Sequence, residues 1–198
     1  LGLPMIKNII DWVWDAGSST VTNTDGDITS SVRANLAAGF SIVKWTSIAW
    51  TGSAANRQVG HGLNAAPALI ITKGMQNVAG WYTYHKDLDV TNPNDYYLTL
   101  NTTDAIGNLA DSFGPNIPDS TTFGDRLLGF SAGQEVIAYC FAPVEGYSAF
   151  GSYTGNGSAD GPFVYTGFKP QWLMIKRTNS ALDWCIFDKA RDGYNGNN

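Results

Sequence analysis

Apolar positions along this chain fall in short runs, each soon broken by Gly, Asn, Asp or Pro. Phe40 to Trp45 alternates apolar with polar, the two-residue period of a half-buried strand. Gln58 to Gly62, Ala68 to Lys73, Trp81 to His85, Tyr97 to Leu100, Thr121 to Phe123 and Leu127 to Phe130 also read as strands, as does Ile9 to Trp14. Val136 to Phe141 is apolar on both faces, which predicts a central strand. Asp25-Gly26 lies between two β-branched polar runs, Ser19 to Thr24 and Asp27 to Val32. Asp-Gly predicts a tight hairpin there, because both turn residues take positive φ; a polar linker is the alternative. With few large apolar residues, this hairpin is expected to project or to cover a sheet edge. Asp104 to Ala110 predicts one helical turn, and Asn92-Pro93-Asn94 breaks the chain. No window sustains the 3.6-residue stripe of a longer helix. The fold class is therefore all-β, an antiparallel β-sandwich.

One pattern occurs twice. Pro67, Leu69-Ile70-Ile71, Lys73, Trp81, Tyr84 and Lys86 are matched by Pro170, the run Trp172-Leu173-Met174-Ile175, Lys176, Trp184, Phe187 and Lys189, at a constant offset of 103 residues. Upstream, Gly39-Phe40-Ser41 matches Gly146-Tyr147-Ser148 at an offset of 107, so the first copy carries four extra residues between its Gly and its Pro. Ile10-Asp11-Trp12-Val13-Trp14-Asp15-Ala16 resembles Ile137-Ala138-Tyr139-Cys140-Phe141-Ala142-Pro143. Self-similarity at a fixed period predicts sandwich units in tandem repeat. The expected division is 1–38, the end of a preceding unit plus the polar hairpin or linker; 39–145, a complete unit; and 146–198, the start of a following one. The chain, opening at Leu1 and stopping in Asn195-Gly196-Asn197-Asn198, reads as a piece of a longer polypeptide. The repeat-fixed Trp81 and Trp184 are expected in the core. Trp50, within the extra length of the first copy, is the candidate exposed contact, since large exposed aromatics mark binding sites.

Composition narrows the function classes. Hydrophobic residues at 43% support a core, and charged residues are only 15%, with a net charge of −5. The 12 Lys and Arg are thinly spread and form no basic stripe, which argues against a nucleic-acid partner. No apolar run reaches the roughly 18 residues of a membrane-spanning helix, so no membrane insertion is expected. Cys140 and Cys185 each sit in an apolar run and are expected as buried free thiols rather than a disulfide.

Motifs with chemistry are few. Gly129-Phe130-Ser131-Ala132-Gly133 fits the nucleophile-elbow spacing. That motif needs a following helix and a later histidine, whereas a strand pattern follows and both histidines, His61 and His85, lie upstream. Neither histidine has zinc-ligand spacing to another, and each is expected at the surface or capping a turn. The loops 23–27 and 156–161 place oxygens at alternate positions but lack the glutamate of a calcium loop. The residues thus predict no enzyme: no catalytic residue, no cofactor and no metal site.

The second copy carries a resemblance. Gly146-Tyr147-Ser148-Ala149-Phe150-Gly151-Ser152-Tyr153-Thr154-Gly155-Asn156-Gly157, with Gly161 to Pro170 and Trp172 to Arg177, is similar to a repeat domain of tailed-bacteriophage virion proteins, common in phages of marine and cyanobacterial hosts. Ile137 to Gly146, and Val59 to Leu63 with Pro67, fit the same pattern, so the likeness runs from Trp12 nearly to the end. It implies a virion structural protein exposed on the particle, a tail fibre or tail-associated protein involved in host attachment. The alternatives are a head-decoration or head-fibre protein and a carbohydrate-binding adhesin module. Implied partners are further copies of the chain, as a homotrimer, other virion proteins and a host surface glycan. The expected arm across a neighbouring copy is the polar hairpin at Asp25-Gly26.

Overall fold

The computed structural model describes residues 13–53, 55–76, 78–125 and 130–189. The chain is all-β and every strand ladder is antiparallel. A hairpin forms from β1 (Val21–Asn23) and β2 (Ser30–Asn35), but residues 24–29 make a six-residue loop in which neither Asp25 nor Gly26 takes positive φ, rather than the tight Asp-Gly turn expected; β2 continues onto β3 (Phe40–Thr46). After β4 (Gln58–Gly60) come β5 (Leu69–Gly74), β6 (Tyr82–His85), β7 (Tyr96–Thr99) and β8 (Gly107–Asn108), a meander. β9 (Thr122–Gly124) pairs with β4 as a second layer, and β10 (Glu135–Phe141) returns to the main sheet. The eight-stranded order is β1-β2-β3-β10-β5-β6-β7-β8, with β11 (Trp172–Ile175) and β12 (Cys185–Asp188) as a separate hairpin.

β10 takes the central place its sequence predicts, between β3 and β5. Its inner face, Val136, Ala138 and Cys140, is buried, and its outer face is half-buried. The core lies between the sheet and the β4–β9 layer, where Val59 and Phe123 meet Val43, Trp45, Ile70 and Tyr84. Burying one such side chain contributes about 1.5–3 kcal/mol. Gly114 and Gly124 bring two backbones together: a Cβ on Gly124 would meet the Gly114 Cα, and Gly114 has φ +99°. Only glycine fits both places.

The structure corrects the sequence reading at several points. The hairpin around Asp25-Gly26 is not an arm without a core of its own. Ile28 and Val32 enter the main core, and the Asp27 carboxylate accepts from the Gln58 N–H at 3.0 Å. Residues 104–110 hold no helical turn; Gly107 and Asn108 pair with Tyr97 and Tyr96. The single-turn 3-10 helix described lies instead at Pro93–Asp95, where Pro is accepted at the first helical position. Most of Ile9 to Trp14, and 127–129 of the predicted strand Leu127 to Phe130, lie outside the described residues.

The two hairpins that share a sequence pattern share a register. In the first, Leu69, Ile70, Ile71 and Thr72 face His85, Tyr84, Thr83 and Tyr82. In the second, Trp172, Leu173, Met174 and Ile175 face Asp188, Phe187, Ile186 and Cys185, each pair displaced by 103. The shared lysine does the same work in both: Lys73 Nζ donates to the Ala79 carbonyl and Lys176 Nζ to the Leu182 carbonyl, closing the hairpin loop. The tryptophans differ. Trp81 stacks on Tyr139 of β10, while Trp184 donates its indole N–H to the Thr99 carbonyl at 3.1 Å. Both are half-buried rather than in the core.

Candidate functional site

Trp50 follows β3 on the segment that leads to β4 and is 47% exposed, with Ile48 exposed beside it. What fixes this segment is Arg57, which is buried. Its Nη1 donates to the carbonyls of Ile48 and Ala49, both at 2.9 Å, and its guanidinium carbon lies 5.8 Å from the Trp50 ring centre. That is within cation–π range. The rest of the guanidinium turns inward: Nε donates to the Asp125 carbonyl at 2.6 Å, and Nη2 pairs with the Asp125 carboxylate at 3.0 Å. The Ser47 hydroxyl donates to the same carboxylate oxygen at 3.0 Å. Burial pushes the Asp125 carboxyl upward, against the Trp45 indole, the Arg57 guanidinium and the Ser47 hydroxyl, which pull it down. The result is a rigid mount for an exposed indole, a flat surface on which a sugar ring or an apolar side chain can stack.

The histidines serve structure. His61 is buried, not at the surface. Its Nδ1 accepts from the Leu63 N–H and its Nε2 faces the Asp119 carbonyl, both at 3.2 Å, so the neutral ring carries its proton on Nε2. Burial lowers its pKa against the opposing pull of Asp119 and Asp25. His85 caps a turn by accepting from the Asp87 N–H at 3.1 Å, and burial lowers it too. A histidine depressed in the fold contributes stability that is complete above the unfolded value of about 6.5 and is lost as pH falls through it toward the folded value. The urea midpoint is expected to fall from pH 8 to pH 5, and less steeply in His61→Gln. Equal slopes would contradict the burial of a neutral ring.

A groove of about 430 Å³ runs beside the turn after β6, lined by Tyr84, Lys86, Asp87, Asp89, Pro93 and Ile117 among others. Its ionic groups are engaged. Lys86 pairs with Asp87 at 2.8 Å, and Asp89 accepts the N–H groups of Thr91 and Asn92, which hold its carboxyl below the ordinary value. Ser131 of the Gly-Ser-Gly motif is exposed in a turn, its N–H donating to Gln134 Oε1, and β10 follows it. The loop oxygens that resembled calcium ligands hold their own turns: Asn23 Oδ1 accepts from the Asp25 N–H, and Asn156 Oδ1 from the Ser158 N–H, each at 3.0 Å. Among the described residues no three His, Cys, Asp or Glu side chains cluster to hold a metal ion. Likewise no helix there is long and apolar enough to cross a membrane.

The C-terminal hairpin presents a feature that sequence reasoning missed. Ile70 and Tyr84 are 0% and 1% exposed, yet their counterparts Leu173 and Phe187 are 43% and 51% exposed. Equal local pattern does not bring equal burial, because burial needs a second layer. Cys185 shares this open face and is exposed, whereas Cys140 is buried, its thiol pushed upward by burial. Both are free thiols. A thiol reagent is expected to modify Cys185 in the native chain and Cys140 only in denaturant, read by mass spectrometry; native labelling of both would contradict this core.

Comparison with known proteins adds one finding. A family model, described as a domain of unknown function (DUF7483), matches residues 5–198. No curated protein and no solved structure matches the chain.

Proposed function

The chain belongs to the DUF7483 family, a domain of unknown function, and we propose that it is a non-enzymatic structural protein of a tailed-bacteriophage virion. Its role on the particle surface is that of a tail fibre or tail-associated protein in host attachment. The observation that carries the reading is the common register of the two hairpins at an offset of 103 residues, which supports sandwich units in tandem repeat. Serial units of this kind build an elongated structural part. The likeness of Gly146 to Arg177 to the phage repeat domain supplies the virion.

Exposed apolar side chains support self-association, since Tyr147, Phe163, Tyr165, Leu173 and Phe187 leave a largely uncovered surface in the C-terminal part. Closed symmetric assembly covers such surface, and the phage resemblance makes it a homotrimer. The mounted Trp50 is the contact for a host glycan or a neighbouring virion protein. Glycan binding lost in Trp50→Ala would support the first.

The test is immunogold labelling of intact particles of the phage that encodes the chain. Label at the distal tail is expected. Label confined to the capsid would overturn the tail assignment in favour of a head fibre, and unlabelled particles would overturn the virion reading. Sedimentation of the purified protein as a stable monomer at micromolar concentration would defeat the oligomer.

A further inference from the structure

We infer that the loop from Thr99 to Ile106 is a docking site for the closing loop of a repeat hairpin. It is the fixed joint that sets one repeat unit on the next, and its grip does not depend on the covalent connection between them. The inference deepens the tandem-unit reading and rests on it. It starts from a meeting of equivalent residues: Trp81 and Trp184, one from each hairpin, both hold this loop. Trp81 does so with its backbone, its N–H donating to Asn101 Oδ1 at 2.9 Å and its carbonyl accepting from the Leu100 N–H at 2.8 Å. Trp184 does so with its side chain, the indole N–H donating to the Thr99 carbonyl at 3.1 Å.

The loop end of the second hairpin adds two backbone hydrogen bonds, one in each direction. The Leu182 N–H donates to the Thr103 carbonyl at 2.8 Å, and the Ile106 N–H donates to the Thr178 carbonyl at 2.9 Å. Lys176 Nζ, which closes the hairpin loop on Leu182, also donates to the Thr103 carbonyl at 3.1 Å. Every acceptor in this set is a main-chain carbonyl, so the dock recognises the shape of a loop. The loop 99–106 holds its own shape, with the Thr102 N–H on the Thr99 carbonyl at 3.3 Å and the Thr102 hydroxyl on the Asp104 carboxylate at 2.8 Å. The partner it fits is a hairpin carrying a Lys and a Trp at the repeat spacing, 184 − 176 = 8 residues.

The connection between β10 and the second hairpin supplies no such joint. Residues 151–165 are exposed without exception. A Cβ at Gly151, Gly155, Gly157, Gly161 or Gly167 would meet nothing within 4 Å. The hydrogen bonds here are local, as from Asn156 Nδ2 to the Asp160 carbonyl. A flexible connection of about 20 residues would leave its ends free over roughly 25 Å. The dock removes that freedom, and the edge contact of Trp172 with Trp14, at the other end of β11, fixes a second point. Serial units are thereby held at one angle, as a stiff, elongated part requires.

A sequence-specific protease site inserted after Gly157 lets the folded full chain be cut within this connection. The two pieces are expected to stay together on gel filtration and to part only in urea. Trp184→Ala in the cut chain is expected to release the C-terminal piece. Hydrogen exchange on the uncut chain keeps the test independent of the insertion. The Leu182 and Ile106 amides, which cross the joint in opposite directions, should be protected together. In Trp184→Phe both should exchange about 3–10-fold faster, the net worth of one hydrogen bond, with the Ile70 amide unchanged. Separation of the cut parent pieces in native buffer overturns the dock. So does a cut complex that survives Trp184→Ala with Leu182 and Ile106 still slow, because Trp172 on Trp14 would then carry the hold. The tandem-unit reading fails separately, by a second hairpin whose register differs from that of the first.

Discussion

Arg57→Ala is expected to destabilise the fold by about 3–5 kcal/mol, because it leaves the buried Asp125 carboxylate without its counter-charge. The side chains of the pair are 5% and 0% exposed, so water cannot take over. The loss extends beyond the ion pair. The carbonyls of Ile48, Ala49 and Asp125 all lose their guanidinium donor, and Trp50 loses the cation beneath its ring. Arg57→Lys is expected to rescue little, since an ammonium cannot reproduce a planar fork of five donors. Replacing both partners, Arg57→Met with Asp125→Leu, should recover much of the loss, because the penalty lies in the orphaned charge rather than in the missing attraction. Urea denaturation of the three variants measures this. A cost below about 1 kcal/mol for Arg57→Ala, the range of surface pairs, would contradict the burial of the network.

Ile70→Ala is expected to cost about 2–5 kcal/mol, while the equivalent change Leu173→Ala should fall within about 0.5 kcal/mol of the parent. The residues sit at the same register position, opposite Tyr84 and Phe187 respectively. They differ in what lies above them. Ile70 belongs to a core closed by Val59, Phe113 and Phe123, whereas Leu173 faces outward. Truncating Ile70 leaves a cavity, and truncating Leu173 removes a group that water already touches. Thermal and urea unfolding of the two variants decide it. Equal costs would mean that a further layer covers the second hairpin.

How far the chain was legible follows from what each feature depends on. Two-residue alternation is local, so β3, β5, β6 and β10 stand within a residue or two of their sequence positions. The central place of β10 was readable because both its faces are apolar, and Tyr139 and Phe141 on the outer face indeed meet Trp81, Trp14 and Phe40. The common register of the hairpins was readable from conserved spacing between the copies. Long-range pairing left no such mark. Arg57 and Asp125 are 68 residues apart and look like any surface ions in sequence. His61, between two glycines, read as a surface or turn-capping residue; it does cap its turn by accepting from the Leu63 N–H, but its ring is buried rather than at the surface, its Nε2 facing the Asp119 carbonyl. Ile28 and Val32 are sparse apolar residues in a polar stretch, yet Ile28 bridges to Val59 of β4 and Val32 faces inward on β2. Cys185 was misjudged for the reason Leu173 is exposed: an apolar strand pattern states which face seeks cover, not whether cover arrives. Of the candidate contacts, Trp50 is where sequence placed it, exposed, while the arginine that mounts it was invisible.

The measurement closest to the central claim, that the two hairpins are copies of one unit, is the cross-strand register of the second hairpin in solution. Nuclear Overhauser contacts between Leu173 and Phe187, and between Met174 and Ile186, are predicted, matching Ile70 with Tyr84 and Ile71 with Thr83. A register displaced by one residue, pairing Leu173 with Ile186, would turn Phe187 to the opposite face and contradict the account.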